Sequence, residues 1–326
     1  MIEILSSPAL NTVQDLGRFG LRNHGVSTSG AMDPVALAAG NILLGNEEGA
    51  AAIEVQTFPF RVRFLADLGF AVTGADSAAR LGEMALPPWW AGSACRGQLL
   101  TLDTPRQGAR AYVMLPGGVD VPQVLGSRST HLRGGFGGFA GRPLQPGDVL
   151  GAGRTEIVRA VGAVPPDCAL EPVVAQEPGC LGLRVLRAGD YDLFPPDAQH
   201  RFWDTCWRIS PQSDRGGYRL SGPPLALERP VEMRSYGLVP GIVQVPPAGE
   251  PIIQLSDANT AGGYPKIATV IEADLWRLGQ ARLGSRIRFV EVAYAEAVAA
   301  MQPVRAYLDR LARLAALHRS RSAPLH

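Results

Sequence analysis

The chain has 326 residues, 46% of them hydrophobic and 19% charged, with a formal net charge of +1. At roughly 150 residues per domain that length points to two cores, and near-neutral charge offers no footprint for nucleic acid or an anionic membrane. No apolar run approaches the ~18 residues of a bilayer span, and the opening MIEILSSPALNTV carries Glu3 and no basic stretch. A cytoplasmic address without a signal peptide is therefore expected.

In chain order, residues 1–64 mix a glycine-rich opening with one short helical stretch. Asp33-Pro34 reads as an N-cap followed by proline at the first helical position, and Val35 to Leu44 continue the helix until Gly45-Asn46. Ile53–Val55, Arg61–Phe64, Phe70–Thr73, Leu99–Leu102 and Ala111–Leu115 read as short strands, and the turn Gln145-Pro146-Gly147-Asp148 closes this half. Gly162–Gly179 carries Pro165, Pro166, Pro172 and Pro178 and reads as a linker. Beyond it, Leu183–Leu186, Ile242–Val245, Ile252–Leu255 and Ile287–Val292 read as strands, and Asp197–Cys206 as a short helix. Tyr294 to His318 reads as a helix interrupted at Pro303, with Val304, Tyr307, Leu308, Leu311 and Ala315 as an apolar stripe that packs on the protein's own body. Strands spaced by turns favour barrels over a doubly wound fold. Clusters at Asp15, Gly17, Arg18 and at Asp214, Arg215, Gly216 hint that two such barrels are related.

Several chemistries drop out. Cys95, Cys168, Cys180 and Cys206 lie far apart with no CxxC pair, so small buried hydrophobes are expected rather than a disulfide or thiolate zinc site. Walker A, HExxH and GxSxG motifs are absent, and five scattered histidines suggest no metal centre. The run Gly134–Gly138 lacks the dinucleotide fingerprint and reads as a tightly turning loop. Lys266 is the only lysine. A site that needs a compact, tunable ammonium cannot accept arginine, whose guanidinium is planar and stays protonated. Four irregular segments combine anion-binding groups, hydroxyls and glycines: 13–18 with 25–33, 126–130, 213–220 and 257–266. Together they suggest a polar site for a small carboxylate or amide.

The motifs VQDLGRFG, SGAMD, GSRST, SDRGGYRLSG and NTAGGYPKIATVIEADL occur in that order between Ile4 and Val292. They resemble the family of KipA-like 5-oxoprolinase C subunits and biotin-dependent carboxyltransferases. That family includes allophanate hydrolase subunit 2 and the A and B carboxyltransferase subdomains of urea carboxylase. Gly216 stands where the family pattern has Met, and Ala261 where it has Thr. The resemblance implies a mainly β chain of two cyclophilin-like β-barrels with a few short helices and a C-terminal helix. Residues 1–165 would form the first barrel, 180–292 the second, and 293–326 the helix and tail. It also implies two partners, a KipI-like B subunit and an A subunit, in a complex that hydrolyses 5-oxoproline to glutamate with ATP. The ATP would be bound on one of those partners, with no covalent biotin on this chain. Two other roles follow from the same likeness. One is transfer of a carboxyl group from carboxybiotin to urea or a similar amide; the other is sequestration of a KipI-like kinase inhibitor.

Both enzymatic readings require an amide-like carbonyl to be polarised as negative charge develops. Lys266 is the expected cation or proton donor, with Asp257 orienting it or serving as base. Arg215 and Arg219 would hold a substrate carboxylate. Asp214, Thr260, Gly263 and Tyr264 would line the same side, with Asp15, Arg18, Ser29, Asp33, Ser127 and Arg128 contributed by the first barrel. No resident metal is expected.

Overall fold

A computed structural model describes residues 1–320 apart from Gln176, Glu228, Pro230 and Glu232. The chain divides into two compact units that interleave in sequence. The first comprises Met1–Arg18, Ser29–Leu170 and the tail from Val304; the second comprises Phe19–Thr28 and Glu171–Pro303. The expected division at 1–165, 180–292 and 293–326 is contiguous, whereas the fold hands a ten-residue segment to the second unit and the C-terminal helix to the first.

In the first unit the strands are β1 (Ile2–Ser6), β2 (Thr12–Gln14), β3 (Ala52–Val55), β4 (Phe60–Phe64), β5 (Leu68–Asp76), β6 (Arg80–Leu81), β7 (Met84–Ala85), β8 (Trp90–Ala94), β9 (Leu99–Leu102), β10 (Gln107–Met114), β11 (Val119–Asp120), β12 (Val149–Ala152) and β13 (Val161–Gly162). They form a seven-stranded sheet, β11-β12-β1-β4-β9-β6-β7, and a six-stranded sheet, β13-β8-β5-β10-β3-β2. Alternation sets the faces. In β4, Phe60, Val62 and Phe64 are buried while Arg61 and Arg63 face solvent. Both sheets feed one core, in which Ile4, Phe60, Phe64 and Leu100 meet Ile53, Phe70 and Val113.

Helix α1 (Pro34–Leu44) follows the sequence reading closely. Asp33 Oδ1 accepts the Ala36 N–H at 2.8 Å, Pro34 occupies the first turn, and Gly45 ends the helix at φ 69°. Apart from Pro34 every residue of α1 is buried. Asp33, expected at the substrate, therefore uses its carboxylate on the cap. Asp33→Ala should lower stability by about 1 kcal/mol in a urea titration, and Asp33→Ser, which keeps a cap, should recover most of it. A short α2 (Pro166–Ala169) lies in the linker region.

The second unit is a closed barrel. Its strands are β14 (Cys180–Arg187), β15 (Trp207–Ile209), β16 (Gly217–Ser221), β18 (Ile242–Gln244), β19 (Ile252–Gln254), β21 (Lys266–Val270) and β22 (Arg286–Glu291), with a separate ribbon of β17 (Tyr236–Gly237) and β20 (Ala261–Gly262). Parallel pairing of β14 with β22, from Cys180↔Arg286 to Val185↔Glu291, closes it. Closure is seen in this unit, while the first wraps two sheets about its core; the mainly β reading holds for both. Helix α3 (Pro196–Asp204) packs on β22, with Phe202 stacked on Phe289 at 4.5 Å between ring centres. Trp207 is fully buried and donates its indole N–H to the Phe202 carbonyl at 3.1 Å. Helix α4 (Leu275–Gln280) follows β21.

The C-terminal region forms α5 (Tyr294–Ala299) and α6 (Met301–Ser320). The break falls at Ala300, before Pro303. Proline is tolerated in a helix's first turn, where its missing N–H has no partner to lose. Val304, Leu308, Leu311 and Ala315 are buried, as the stripe required. Arg305 pairs with Glu48 at 2.8 Å, and Arg319 donates to the Ile42 carbonyl at 3.0 Å. Residues 321–326 lie outside the described chain. Among the described residues, no helix is long and apolar enough to cross a membrane.

Candidate functional site

Lys266 opens β21 and is only 4% exposed. Its cross-strand neighbour on β18 is Gln244. The Lys266 ammonium lies over the Tyr236 ring, 2.9 Å from its centre, and donates to the Gly262 carbonyl at 3.3 Å. The backbone N–H of Lys266 donates to the Asp190 carboxylate at 2.9 Å, and the Tyr236 hydroxyl donates to the same oxygen. Ribbon pairing of Tyr236 with Gly262 brings that ring to the lysine. Gln244 donates to the Tyr264 carbonyl at 3.2 Å and accepts from Gln254 at 3.1 Å, so two buried amides hold the turn that precedes Lys266.

The electrostatics are uneven. Burial lowers the Lys266 pKa from its usual 10.5, and the Asp190 charge opposes that fall without cancelling it. Burial, with the Asp190 hydrogen bond and charge, pushes the Tyr236 hydroxyl well above its ordinary value, so it stays a donor. A tunable ammonium held on an aromatic face beside a carboxylate can polarise a carbonyl or hand it a proton.

Arg22 belongs to this unit. It donates to the Thr28 hydroxyl at 3.0 Å and to the carbonyls of Leu238 and Asn259. It thus ties the loop after Tyr236 to the loop before Thr260. Burial lowers its pKa.

The expected residues fall into three groups. Lys266, Gly263 and Tyr264 are together; Thr260 joins them through its carbonyl, which accepts the Leu238 N–H at 2.9 Å. Arg215 and Asp257 form a pair. Arg215 Nε meets Asp257 Oδ2 at 2.9 Å, with Arg215 4% exposed. The carboxylate that accepts the Lys266 backbone N–H is Asp190, whereas the Asp257 carboxylate is bonded to Arg215. Asp214 caps its own turn, accepting the N–H groups of Gly216 at 2.7 Å and Gly217 at 3.2 Å. Arg219 is on the exposed face of β16, between buried Tyr218 and Leu220.

The remaining residues lie in the first unit and hold its loops. Asp15 accepts from Ser127 at 2.6 Å, from Ser129 at 2.5 Å and from the Arg128 N–H at 2.6 Å. Arg18 and Arg128 donate their Nε groups to the Val124 and Val121 carbonyls at 3.0 and 2.9 Å. Ser29 is buried at a left-handed φ of 53°. Asp15 and Arg128 also edge a polar cavity of about 520 Å³ with Asn46, Asp120 and Arg154.

The Gly134–Gly138 loop and Lys266 are the places to weigh against a bound phosphate and a biotin attachment. Four of the five amides of the Gly134–Gly138 loop donate within the protein. Gly134 donates to His131 Nδ1, Gly135 and Phe136 to the His131 carbonyl, and Gly138 to the Arg128 carbonyl. A phosphate cradle needs those N–H groups directed outward. A biotin-bearing lysine must stand free on an exposed turn, and Lys266 is buried at a strand start.

The cysteines also depart from expectation. Cys95 and Cys168 are exposed, and Cys180 and Cys206 are joined as a disulfide with Cα atoms 6.4 Å apart. The spacing of 26 residues hid this contact, which β22 creates by pairing with both β14 and β15. Asp190, Tyr236, Gln244, Gln254 and Arg22 were not foreseen either. The two strands IVQ and IIQ, each ending an apolar run on glutamine, were the one available signal.

The chain is 42% identical to the 5-oxoprolinase C subunit of Haemophilus influenzae over 314 residues, covering 96% of this chain and 98% of that one. It is 41% identical to the 5-oxoprolinase C subunit of Escherichia coli with the same coverage. Its fold is similar to the crystal structure of Kluyveromyces lactis urea carboxylase, with a TM-score of 0.85 at 29% identity, covering 95% of this chain and 29% of that one. The family model described as carboxyltransferase domain, subdomain A and B, matches residues 24–291. With a match of that extent, and relatives alike from end to end, the chain belongs to the carboxyltransferase subdomain A and B family.

Proposed function

We propose that this chain is the C subunit of a 5-oxoprolinase, acting with a KipI-like B subunit and an A subunit to hydrolyse 5-oxo-L-proline to L-glutamate with ATP. The observation that carries this reading is the end-to-end likeness to two proteins of that name, at 42% and 41% identity. The geometry supplies its chemistry. Gly262 and the Tyr236 ring engage two faces of the Lys266 ammonium, and a remaining N–H meets the lactam carbonyl oxygen. Asp190 and Tyr236 hold the lysine in place while negative charge builds on that oxygen. ATP is assigned to a partner protein in this reading, which is supported by the Gly134, Gly135, Phe136 and Gly138 amides donating within the protein.

A carboxyltransferase reading is favoured by the similarity to urea carboxylase; a separate carrier would then bring the carboxybiotin. One assay separates the two. The purified complex is offered 5-oxoproline with ATP, or urea with a carboxylated biotin carrier. Glutamate in the first supports the hydrolase, and carboxylated urea in the second supports the transferase.

The pH profile follows from the lysine. If the ammonium is the working form, turnover falls as pH rises through its pKa, which burial places below 10.5. The alkaline limb of kcat should therefore begin earlier than an ordinary lysine would give, and residual turnover in Lys266→Met should lack it. A limb unchanged in that variant would assign the titration to another group.

A further inference from the structure

We propose that Cys180 and Cys206 form a reversible thiol-oxidation site whose state is felt at Lys266. Both residues are half-buried, within reach of a small thiol reagent. Their Cα separation of 6.4 Å lies in the range a disulfide accepts without backbone movement. They come from different elements, Cys180 from the first position of β14 and Cys206 from the turn between α3 and β15.

The link from sulfur to lysine is contiguous. Cys206 lies two residues beyond the end of α3. Trp203, in the last turn of α3, donates its indole N–H to the Tyr191 hydroxyl at 2.8 Å, and Arg288 of β22 donates to the Trp203 carbonyl at 3.1 Å. Tyr191 is buried and follows Asp190 directly. Asp190 receives the Lys266 N–H and the Tyr236 hydroxyl. A bond at Cys206 therefore fixes the end of α3, and through Trp203 and Tyr191 fixes the carboxylate that holds the Lys266 backbone N–H and the Tyr236 hydroxyl. With the bond open, the end of α3 keeps Phe202 on Phe289 and the Arg288 bond to Trp203 but loses its covalent tie, and Asp190 is released from its place more often.

The exchange partner is a low-molecular-weight disulfide such as glutathione disulfide. One protein thiolate attacks a glutathione sulfur, forming a mixed disulfide and expelling glutathione thiolate. The second protein thiolate attacks the protein sulfur of that mixed disulfide and expels the second glutathione. Two protein thiols are oxidised, one glutathione disulfide is reduced to two glutathiones, and reduction runs the same steps backwards.

Glu177 offers a carboxylate within 4.8 Å of both sulfurs, which makes a metal the competing occupant. Its carboxylate is already paired with Arg286 at 3.1 Å, and a guanidinium beside the three donors opposes a cation. That charge favours sulfur exchange over metal binding at this place.

For any effect on turnover the inference rests on the function proposed above; its test does not. The full chain is equilibrated with reduced or oxidised glutathione, and its thiols are alkylated and mapped by mass. In parallel, trinitrobenzenesulfonate labels Lys266, the one lysine, separable from the N-terminal amine by peptide mapping. Expected are protection of Cys180 and Cys206 together in the oxidised sample and about fivefold faster Lys266 labelling in the reduced one, the lower end of ordinary coupling between sites. Cys206→Ser should label at one rate in both buffers. Cys180 and Cys206 alkylated alike in both buffers would overturn the proposal. So would a zinc ion bound one per chain, or Lys266 labelling equally fast in both states of the wild-type chain.

Discussion

Asp274→Ala should unfold the second unit at far lower denaturant than the wild type. The Asp274 carboxylate is wholly buried, and it accepts the Arg184 backbone N–H at 2.8 Å, Arg184 Nε at 3.0 Å and an Arg184 terminal nitrogen at 2.7 Å. Arg277 adds a contact at 3.4 Å from the following helix. The pairing raises the Arg184 pKa, chiefly through its hydrogen bond to Asp274. Removing the carboxylate takes an anionic partner from two guanidinium groups and an acceptor from an amide, at the junction of β14 and α4. Breaking one side of a buried charge pair costs about 3–5 kcal/mol, which for a unit of this size lowers the thermal midpoint by roughly 10 °C. A calorimetric midpoint within a degree or two of wild type would show that the pair does not hold the barrel.

Lys266→Met should do the opposite, leaving the fold intact and removing activity. Loss of the ammonium proposed to polarise the carbonyl predicts a fall in kcat of about a hundredfold to ten-thousandfold in the assembled complex. Lys266→Arg should fail as well, because a planar fork cannot replace a compact ammonium on the Tyr236 face. Stability should hold or rise in the methionine variant. A lysine whose folded pKa lies below its unfolded value binds fewer protons when folded, so folding bears a cost at low pH. That cost is relieved as pH climbs from the folded value to 10.5. Methionine removes the cost altogether. Equal kcat in wild type and Lys266→Met, measured on folded complexes, would take the lysine out of the mechanism.

These two residues show how unevenly the sequence reveals the molecule. Strands were legible where alternation was strict, as in Phe60-Arg61-Val62-Arg63-Phe64, because period two follows from the pleat itself. Helix α1 was legible from its caps. Lys266 stood out by being alone among arginines. Its carboxylate did not, because Asp190 is 76 residues away in sequence and reaches the lysine only through barrel closure. Asp257 is nine positions from Lys266 and was the natural choice by proximity, yet the turn at 257–258 gives its carboxylate to Arg215. Asp274 sits inside a motif that carries the family likeness, and nothing local marks it as an anchor. Segment 19–28 was assigned with its neighbours to the first barrel, since its short mix of glycine, polar residues and Phe19, Leu21 and Val26 carries no periodicity to mark it out. Its membership of the second unit comes from single contacts such as those of Arg22. Pairings set by long-range topology were thus the part missing from local pattern.

The most direct test of the proposed function is an omission series on the reconstituted enzyme. The chain is mixed with the proposed KipI-like B subunit and the proposed A subunit, supplied with 5-oxoproline and ATP, and glutamate is measured with each component left out in turn. Glutamate is expected only when all three are present. Glutamate released at full rate without this chain would contradict its place in the enzyme.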